Sequence, residues 1–179
     1  MAKEAYIGVG NIARKIKCGY IGVNGVARKI KTGYVGVNGV ARATFGGEYY
    51  SSGLSYTLSD GTYTLTGIGS CTDSEIVIPS QYNGVAVTAI GDRALEKNAN
   101  ITSVVIPDSV TSIGEQSIWL CNKLQTVTIG KGVATIADFA FYSCPKLDTV
   151  YYRGTATQWS NISIGDYNDD LTDATRYYI

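Results

Sequence analysis

From Ile76 onward, apolar residues return in phase every 23 positions: Ile90, Ile113 and Ile136 share one phase, Val87, Val110 and Val133 a second, and Ile101, Leu124 and Leu147 a third. Leu95, Ile118 and Phe141 keep the same step, as do Cys121 and Cys144, with Asn98 at that place in the preceding copy. Within each copy a run such as Leu124-x-x-Val127-x-Ile129 alternates as a strand does. A Gly or Pro corner follows, then an Ile-Gly/Ala-x-x-Ala/Ser-Leu/Ile/Phe segment whose spacing predicts a helical turn. One such unit cannot bury its apolar side alone, so the pattern predicts stacked coils with continuous internal ladders. Residues 48–70 precede the coils and read as two strands, Leu54 to Leu58 and Thr62 to Thr66, joined at Ser59-Asp60-Gly61.

A different period governs the start of the chain. Tyr6 to Gly19, Tyr20 to Gly33 and Tyr34 to Gly47 are three copies of a 14-residue unit, the second reading YIGVNGVARKIKTG. Asn24-Gly25 and Asn38-Gly39 stand between β-prone runs and predict two-residue type I′ turns, so each copy is expected to be a β-hairpin. Closing the loop at Asn24-Gly25 pairs Val23 with Val26, Gly22 with Ala27, Ile21 with Arg28 and Tyr20 with Lys29. Alternation then places Ile21, Val23, Val26 and Ile30 on a narrow apolar face, too small to close a core without stacking or a partner. Gly8-Val9-Gly10-Asn11-Ile12-Ala13 matches a dinucleotide fingerprint, but no helical pattern follows and the window aligns with the other hairpin copies.

The two periods divide the chain into residues 1–47, a basic β-hairpin array, and residues 48–179, a repeat solenoid with its caps; the fold class expected is mainly β with short helices. Charge follows the same division. The 179-residue chain is neutral, with 15 basic and 15 acidic residues. Residues 1–47 carry eight of the basic residues against Glu4 alone, a net +7, which leaves −7 on the remainder. Such an asymmetry predicts separate partners for the two parts.

The composition narrows the chemistry further. Histidine is absent, which removes the commonest general base and the commonest metal ligand. Cys18, Cys71, Cys121 and Cys144 lack metal-ligand spacing, and the recurrence of two of them in one ladder predicts buried, inert thiols. No nucleophile–base motif is present, so no enzyme activity and no cofactor are expected. The acids Asp166, Asp169, Asp170 and Asp173 raise the question of calcium, but their spacing lacks the glycine and terminal glutamate of an EF-hand loop and favours a solvated turn at a helix start. The opening MAKEAYIGVG holds no apolar run of signal-peptide length and no later stretch approaches a membrane span, so a membrane is not an expected partner; the zero net charge argues against nucleic acid.

The segments IVIPSQYNGVAVTAIGDRAL, VVIPDSVTSIGEQSIWLC and VTIGKGVATIADFAFYSC resemble the BspA-like leucine-rich repeats of bacterial surface proteins, over roughly residues 54–179. Tyr152-Arg153-Gly154-Thr155 with Gln158-Trp159, Ile162, Ile164 and Leu171 is similar to that family's C-terminal cap. The resemblance implies a right-handed solenoid with a parallel sheet, and roles in adhesion or protein binding without catalysis. Asn98 in place of cysteine, and Leu95 and Ile118 in place of phenylalanine, are departures from the family's pattern. The N-terminal copies resemble tandem YIGVxGVARK repeats in predicted proteins of phages and prophages from gut Firmicutes.

Two sets of candidate residues follow. On the sheet, Glu75, Val77, Ser103, Val105, Thr126, Thr128, Thr149 and Tyr151 fall between ladder positions and are expected to form an outward strip suited to a protein or glycan, or to be a merely solvated sheet. In the N-terminal copies, Arg14, Arg28 and Arg42, with Tyr6, Tyr20 and Tyr34, recur at fixed places and are candidates for assembly, against virion proteins of a capsid or tail or against copies of the chain itself, a trimer among the options. Three functions are compatible: a phage virion component that binds a host surface, a bacterial surface adhesin, and an intracellular adaptor. The opening sequence, lacking a secretory signal, favours assembly in a host cytoplasm into a virion over export to a cell surface.

Overall fold

The computed structural model describes residues 50–179 in full and, of residues 5–49, the backbone of the strands. The chain divides into two compact units, Met1–Ser52 and Gly53–Ile179. The division falls after residue 47 because β7 (Glu48–Tyr50) pairs with β6 (Val40–Phe45), matching Phe45 with Glu48.

In the first unit, β1 (Ala5–Val9) pairs antiparallel with β2 (Ile12–Ile16), β3 (Tyr20–Val23) with β4 (Val26–Lys29), and β5 (Gly33–Val37) with β6. The β3–β4 register matches Tyr20 with Lys29 and Val23 with Val26, the pairing that a two-residue connection demands. The side chains of Arg14, Arg28, Arg42, Tyr6, Tyr20 and Tyr34, Cys18, and the stacking of the three copies lie outside the described residues.

The second unit is a solenoid with two sheets. It begins with the hairpin β8 (Ser55–Ser59) and β9 (Thr62–Gly67), whose turn residues Asp60 and Gly61 have φ of 51° and 76°. Positive φ at both positions is what a type I′ turn needs, and Gly61 takes it without a steric penalty. One sheet is parallel throughout and runs β10 (Glu75–Val77), β13 (Ser103–Val105), β15 (Thr126–Ile129), β17 (Thr149–Tyr152) and β19 (Thr175–Tyr178). The other places β9, β12 (Val85–Ile90), β14 (Ser112–Ile113), β16 (Thr135–Ile136) and β18 (Ser163–Ile164) in parallel, with β8 at one edge and β11 (Gln81–Tyr82) antiparallel to β12.

Register follows the sequence period. Ser103 pairs with Thr126 and Thr126 with Thr149, each step being one 23-residue coil. The second sheet aligns Ile90, Ile113, Ile136 and Ile164. Val104, Val127 and Val150 are fully buried between the sheets, as are Leu95, Ile118 and Phe141 on the far side. At a few kcal/mol for burying each large side chain, these ladders supply most of the unit's stability.

The segment after each second-sheet strand is not helical. Residues 92–97, 115–120 and 138–143 are consecutive turns in which Arg93, Lys97, Gln116, Leu120, Phe139 and Ser143 have φ between 54° and 60°. The apolar spacing suggested a helical turn because it brings Ile, Ala or Ser, and Leu, Ile or Phe to one side. Backbone N–H groups instead donate to the next coil: Leu95 to the Ser117 carbonyl at 2.7 Å, Ile118 to Ala140 at 2.8 Å and Leu120 to Tyr142 at 3.0 Å. Among the described residues the helices are α1 (Ala156–Trp159) and α2 (Asp169–Thr172), both in the C-terminal cap.

Candidate functional site

Alternation along the strands of the five-stranded sheet decides which side chains face out. Ile76, Val104, Val127 and Val150 are buried, while Val77, Ser103, Val105, Thr126, Thr128, Thr149 and Tyr151 are half-buried and Glu75 is exposed. The sequence strip is therefore continuous in space, because Thr126 pairs with Ser103 and Thr149, and Thr128 with Val105 and Tyr151. Neighbouring rungs lie about 4.8 Å apart. The result is a flat surface of hydroxyls, methyls and one phenol on a backbone fixed from both sides.

The strip extends one coil further than the 23-residue period foresaw. Thr175 pairs with Thr149 and Tyr177 with Tyr151, and the two tyrosine rings stack with centroids 5.5 Å apart. The interval from Thr149 to Thr175 is 26 residues, so β19 falls outside the period. The signal was present in the shared pattern Thr-x-Tyr-Tyr at Thr149–Tyr152 and Thr175–Tyr178.

Cys121 and Cys144 lie on the inner side of the solenoid, whereas Cys71, outside their ladder, is only half-buried against the expectation of a buried thiol. Cys121 and Cys144 are fully buried, and their thiols donate to the Leu95 and Ile118 carbonyls at 3.2 and 3.1 Å. Burial pushes the Cys121 thiol up to about 11 and that of Cys144 up to about 12. Neither thiol is poised for nucleophilic chemistry.

The C-terminal acids serve the local backbone. Asp170 accepts a hydrogen bond from the Cys144 amide at 2.8 Å, and Asp169 and Asp170 occupy the first turn of α2, where a carboxylate complements the helix dipole. The Asp166 amide donates to Asp138 at 2.9 Å. Among the described residues no group of three or more His, Cys, Asp or Glu side chains is arranged to hold a metal ion, and no helix is long and apolar enough to cross a membrane.

Asn168 joins the last coil to the body. It is buried, its side-chain amide donates to the carbonyls of Ala137 at 3.0 Å and Gly165 at 2.9 Å, and its side-chain oxygen accepts from the Phe141 amide at 3.0 Å. In the cap, Thr155 and Gln158 form a reciprocal capping box that starts α1 and seats Trp159 against Tyr152, ring centroids 5.3 Å apart.

A coil of 23 residues with two parallel sheets, an inward cysteine ladder and turns that bond to the next coil is a leucine-rich-repeat architecture. The family described as "BspA type Leucine rich repeat region (6 copies)" matches residues 68–167. The chain belongs to the BspA-type leucine-rich-repeat family. A leucine-rich-repeat protein from Bacteroides capillosus ATCC 29799 is similar at 27% identity and a TM-score of 0.58, over 71% of this chain and 94% of that one. The T. pallidum leucine-rich-repeat protein TpLRR shares the fold at a TM-score of 0.51 and 22% identity; the match covers 59% of this chain and about half, 53%, of that protein. A leucine-rich cell surface protein from Faecalibacterium prausnitzii A2-165 aligns at 24% identity over 73% of this chain and 42% of its own length, with a TM-score of 0.37. No curated protein matches the chain. BspA-type solenoids are typically non-enzymatic.

Proposed function

We propose that this BspA-type protein is a non-catalytic recognition protein whose five-stranded sheet holds a protein ligand at a bacterial surface. The observation that carries the reading is the in-register outward strip from Glu75 to Tyr177, backed in the first four strands by the buried Ile76, Val104, Val127 and Val150. Small hydroxyl and methyl side chains there lose little conformational freedom on binding, and a preorganised sheet limits the entropy cost of association. A flat strip with a single aromatic pair suits a protein surface better than a sugar, which is gripped by open ring faces.

In this reading residues 1–47 are the attachment module. Eight basic residues against one acid, with Arg14, Arg28 and Arg42 recurring at a fixed place, support docking on an acidic partner surface, either another virion protein or copies of this chain. The virion placement draws its support from these repeats; membership of the BspA-type family favours residence on the bacterial cell surface. In both cases the solenoid meets a ligand outside the cell.

The test uses labelled full-length protein on intact bacterial cells. Binding should be lost when the cells are treated with protease and in a Thr126→Arg, Thr149→Arg variant that melts normally. Binding that survives both would overturn the sheet as a protein-binding face, and binding lost to glycan oxidation but not to protease would make the ligand a sugar. Alanine at all three arginines should abolish incorporation into particles or oligomerisation while the solenoid transition stays put; normal assembly would remove the anchoring role.

A further inference from the structure

A second surface lies at the turns, apart from the sheet strip. Phe139 and Tyr167 stack nearly parallel, ring centroids 4.4 Å apart and 8° between planes, and Tyr142 stands edge-on to Phe139 at 5.6 Å. Tyr142 is 44% exposed and Tyr167 55% exposed, so these rings are held by one another on the surface without being absorbed into the core. One coil earlier, at the place of Tyr142, stands Trp119 with the Lys97 ammonium 4.8 Å from its ring centroid.

The solenoid does not require aromatics here. The positions equivalent to Phe139 hold Arg93 and Gln116 in the preceding coils, and the position equivalent to Tyr142 holds Glu96 two coils earlier. The backbone does not favour them either. Phe139 and Tyr167 have φ of 57° and 59°, a left-handed conformation that costs a bulky residue on the order of 1 kcal/mol and that glycine would accept freely. Phe139 and Tyr167, at left-handed positions where earlier coils hold Arg93 and Gln116, call for a reason beyond folding.

Carboxylates flank the rings. Asp138 directly precedes Phe139 and Asp166 directly precedes Tyr167, both exposed. The Asp166 amide donates to Asp138 Oδ1 at 2.9 Å, which fixes that carboxylate and leaves its second oxygen to offer. Phe139 and Tyr167 cover one another's facing sides, so the surface on offer is that of the exposed Tyr142 and Tyr167 rings; exposed rings near hydrogen-bond acceptors are the chemistry that recognises a pyranose, whose C–H face packs on a ring while its hydroxyls donate to carboxylates.

We propose that Phe139, Tyr142 and Tyr167, with Asp138 and Asp166, form a glycan-binding platform on the turn side of the solenoid. The ligand class is a neutral or cationic polysaccharide, since an anionic sugar would meet the two aspartates. The site is independent of the sheet and can fail without affecting the protein-binding reading.

The test is native gel electrophoresis of the full chain in gels containing hydroxyethylcellulose, dextran, chitosan or starch. Retardation is expected in at least one gel and should weaken by about tenfold in apparent affinity for Tyr142→Ala and for Tyr167→Ala. Tyr167→Phe, which keeps the stack, should be retarded normally and serves as the folding-matched control. The Thr126→Arg, Thr149→Arg variant should also be retarded normally. Absence of retardation in all four gels, or unchanged retardation in alanine variants that melt normally, would overturn the platform.

Discussion

The Arg176 guanidinium lies over the indole of Trp159, its central carbon 4.0 Å from the ring centroid, and donates to the Thr172 carbonyl at 3.1 Å. Arg176 pairs with Val150 and so takes the inward place that Val104, Val127 and Val150 fill in the preceding coils. A charge turned inward on an edge strand discourages another strand from adding there, while the cation–π contact with Trp159 stabilises it by roughly 1 kcal/mol.

Arg176→Val should therefore convert the cap toward an ordinary coil. The variant is expected to retain the fold but to self-associate more than the parent at equal concentration, measured by light scattering after size exclusion. An unchanged mass at high concentration would mean that the inward charge does not protect this edge.

Ser117 occupies the column of Ala94 and Ala140, one coil from each. It is fully buried, and its hydroxyl has no hydrogen-bond partner. Burying an unpaired hydroxyl costs about 1–3 kcal/mol, and the alanines above and below show that a methyl fits the space. Ser117→Ala should raise stability by about 1 kcal/mol, seen as an increase of a few degrees in Tm. A lower Tm would reveal a partner for the hydroxyl.

How far the sequence disclosed this architecture depends on what each feature obeys. The 23-residue period exposed the buried columns and the sheet strip because both arise from side-chain burial at alternate strand positions. It misjudged the turns at 92–97, 115–120 and 138–143, since the apolar spacing there satisfies an inward column whether backbone bonds run along a helix or across to the next coil. Left-handed φ at Gln116, Leu120 or Phe139 has no signature in those residue types. The period also concealed Thr175 and Tyr177, because the cap inserts α1 and α2 and breaks the step. The aromatic group at Phe139, Tyr142 and Tyr167 escaped notice for the same reason: Tyr167 lies 28 residues after Phe139 and becomes its neighbour only through the longer last coil.

The two inner thiols should be inert in the native state and should make stability sensitive to alkali. Burial raises Cys121 to about 11 and Cys144 to about 12, against a model-compound value of 9.0. Because the unfolded thiols ionise first, their contribution is fully present below about pH 9 and is lost as pH rises through 11 to 12. Native protein at pH 8 should leave both unmodified by a thiol reagent until denaturant is added. The fall in Tm between pH 9 and 11 should shrink in a Cys121→Ala, Cys144→Ala variant; an identical fall would assign the alkaline loss to other groups.

Asn168 is the most demanding single residue of the cap. Its side chain satisfies the Phe141 amide at 3.0 Å and the carbonyls of Ala137 and Gly165 at 3.0 and 2.9 Å, in a place 3% exposed. Asn168→Leu removes these bonds and leaves the Phe141 N–H and the Gly165 carbonyl without a partner, while the Ala137 carbonyl keeps only the Ala140 amide at 3.4 Å, at roughly 1–3 kcal/mol for each group that water cannot reach. Asn168→Asp keeps the acceptor for Phe141 but sets a carboxylate against the two carbonyls, so it repairs one contact and inverts the others. Both variants should lower the midpoint of urea denaturation by the equivalent of about 2–4 kcal/mol, the leucine variant with an unchanged slope if the coils still unfold as one unit. A reduced slope would mean that the last coil, with β19 and Tyr177 at the end of the recognition strip, detaches before the rest. A variant as stable as the parent would show that Asn168 fills space and does not bind the coils together.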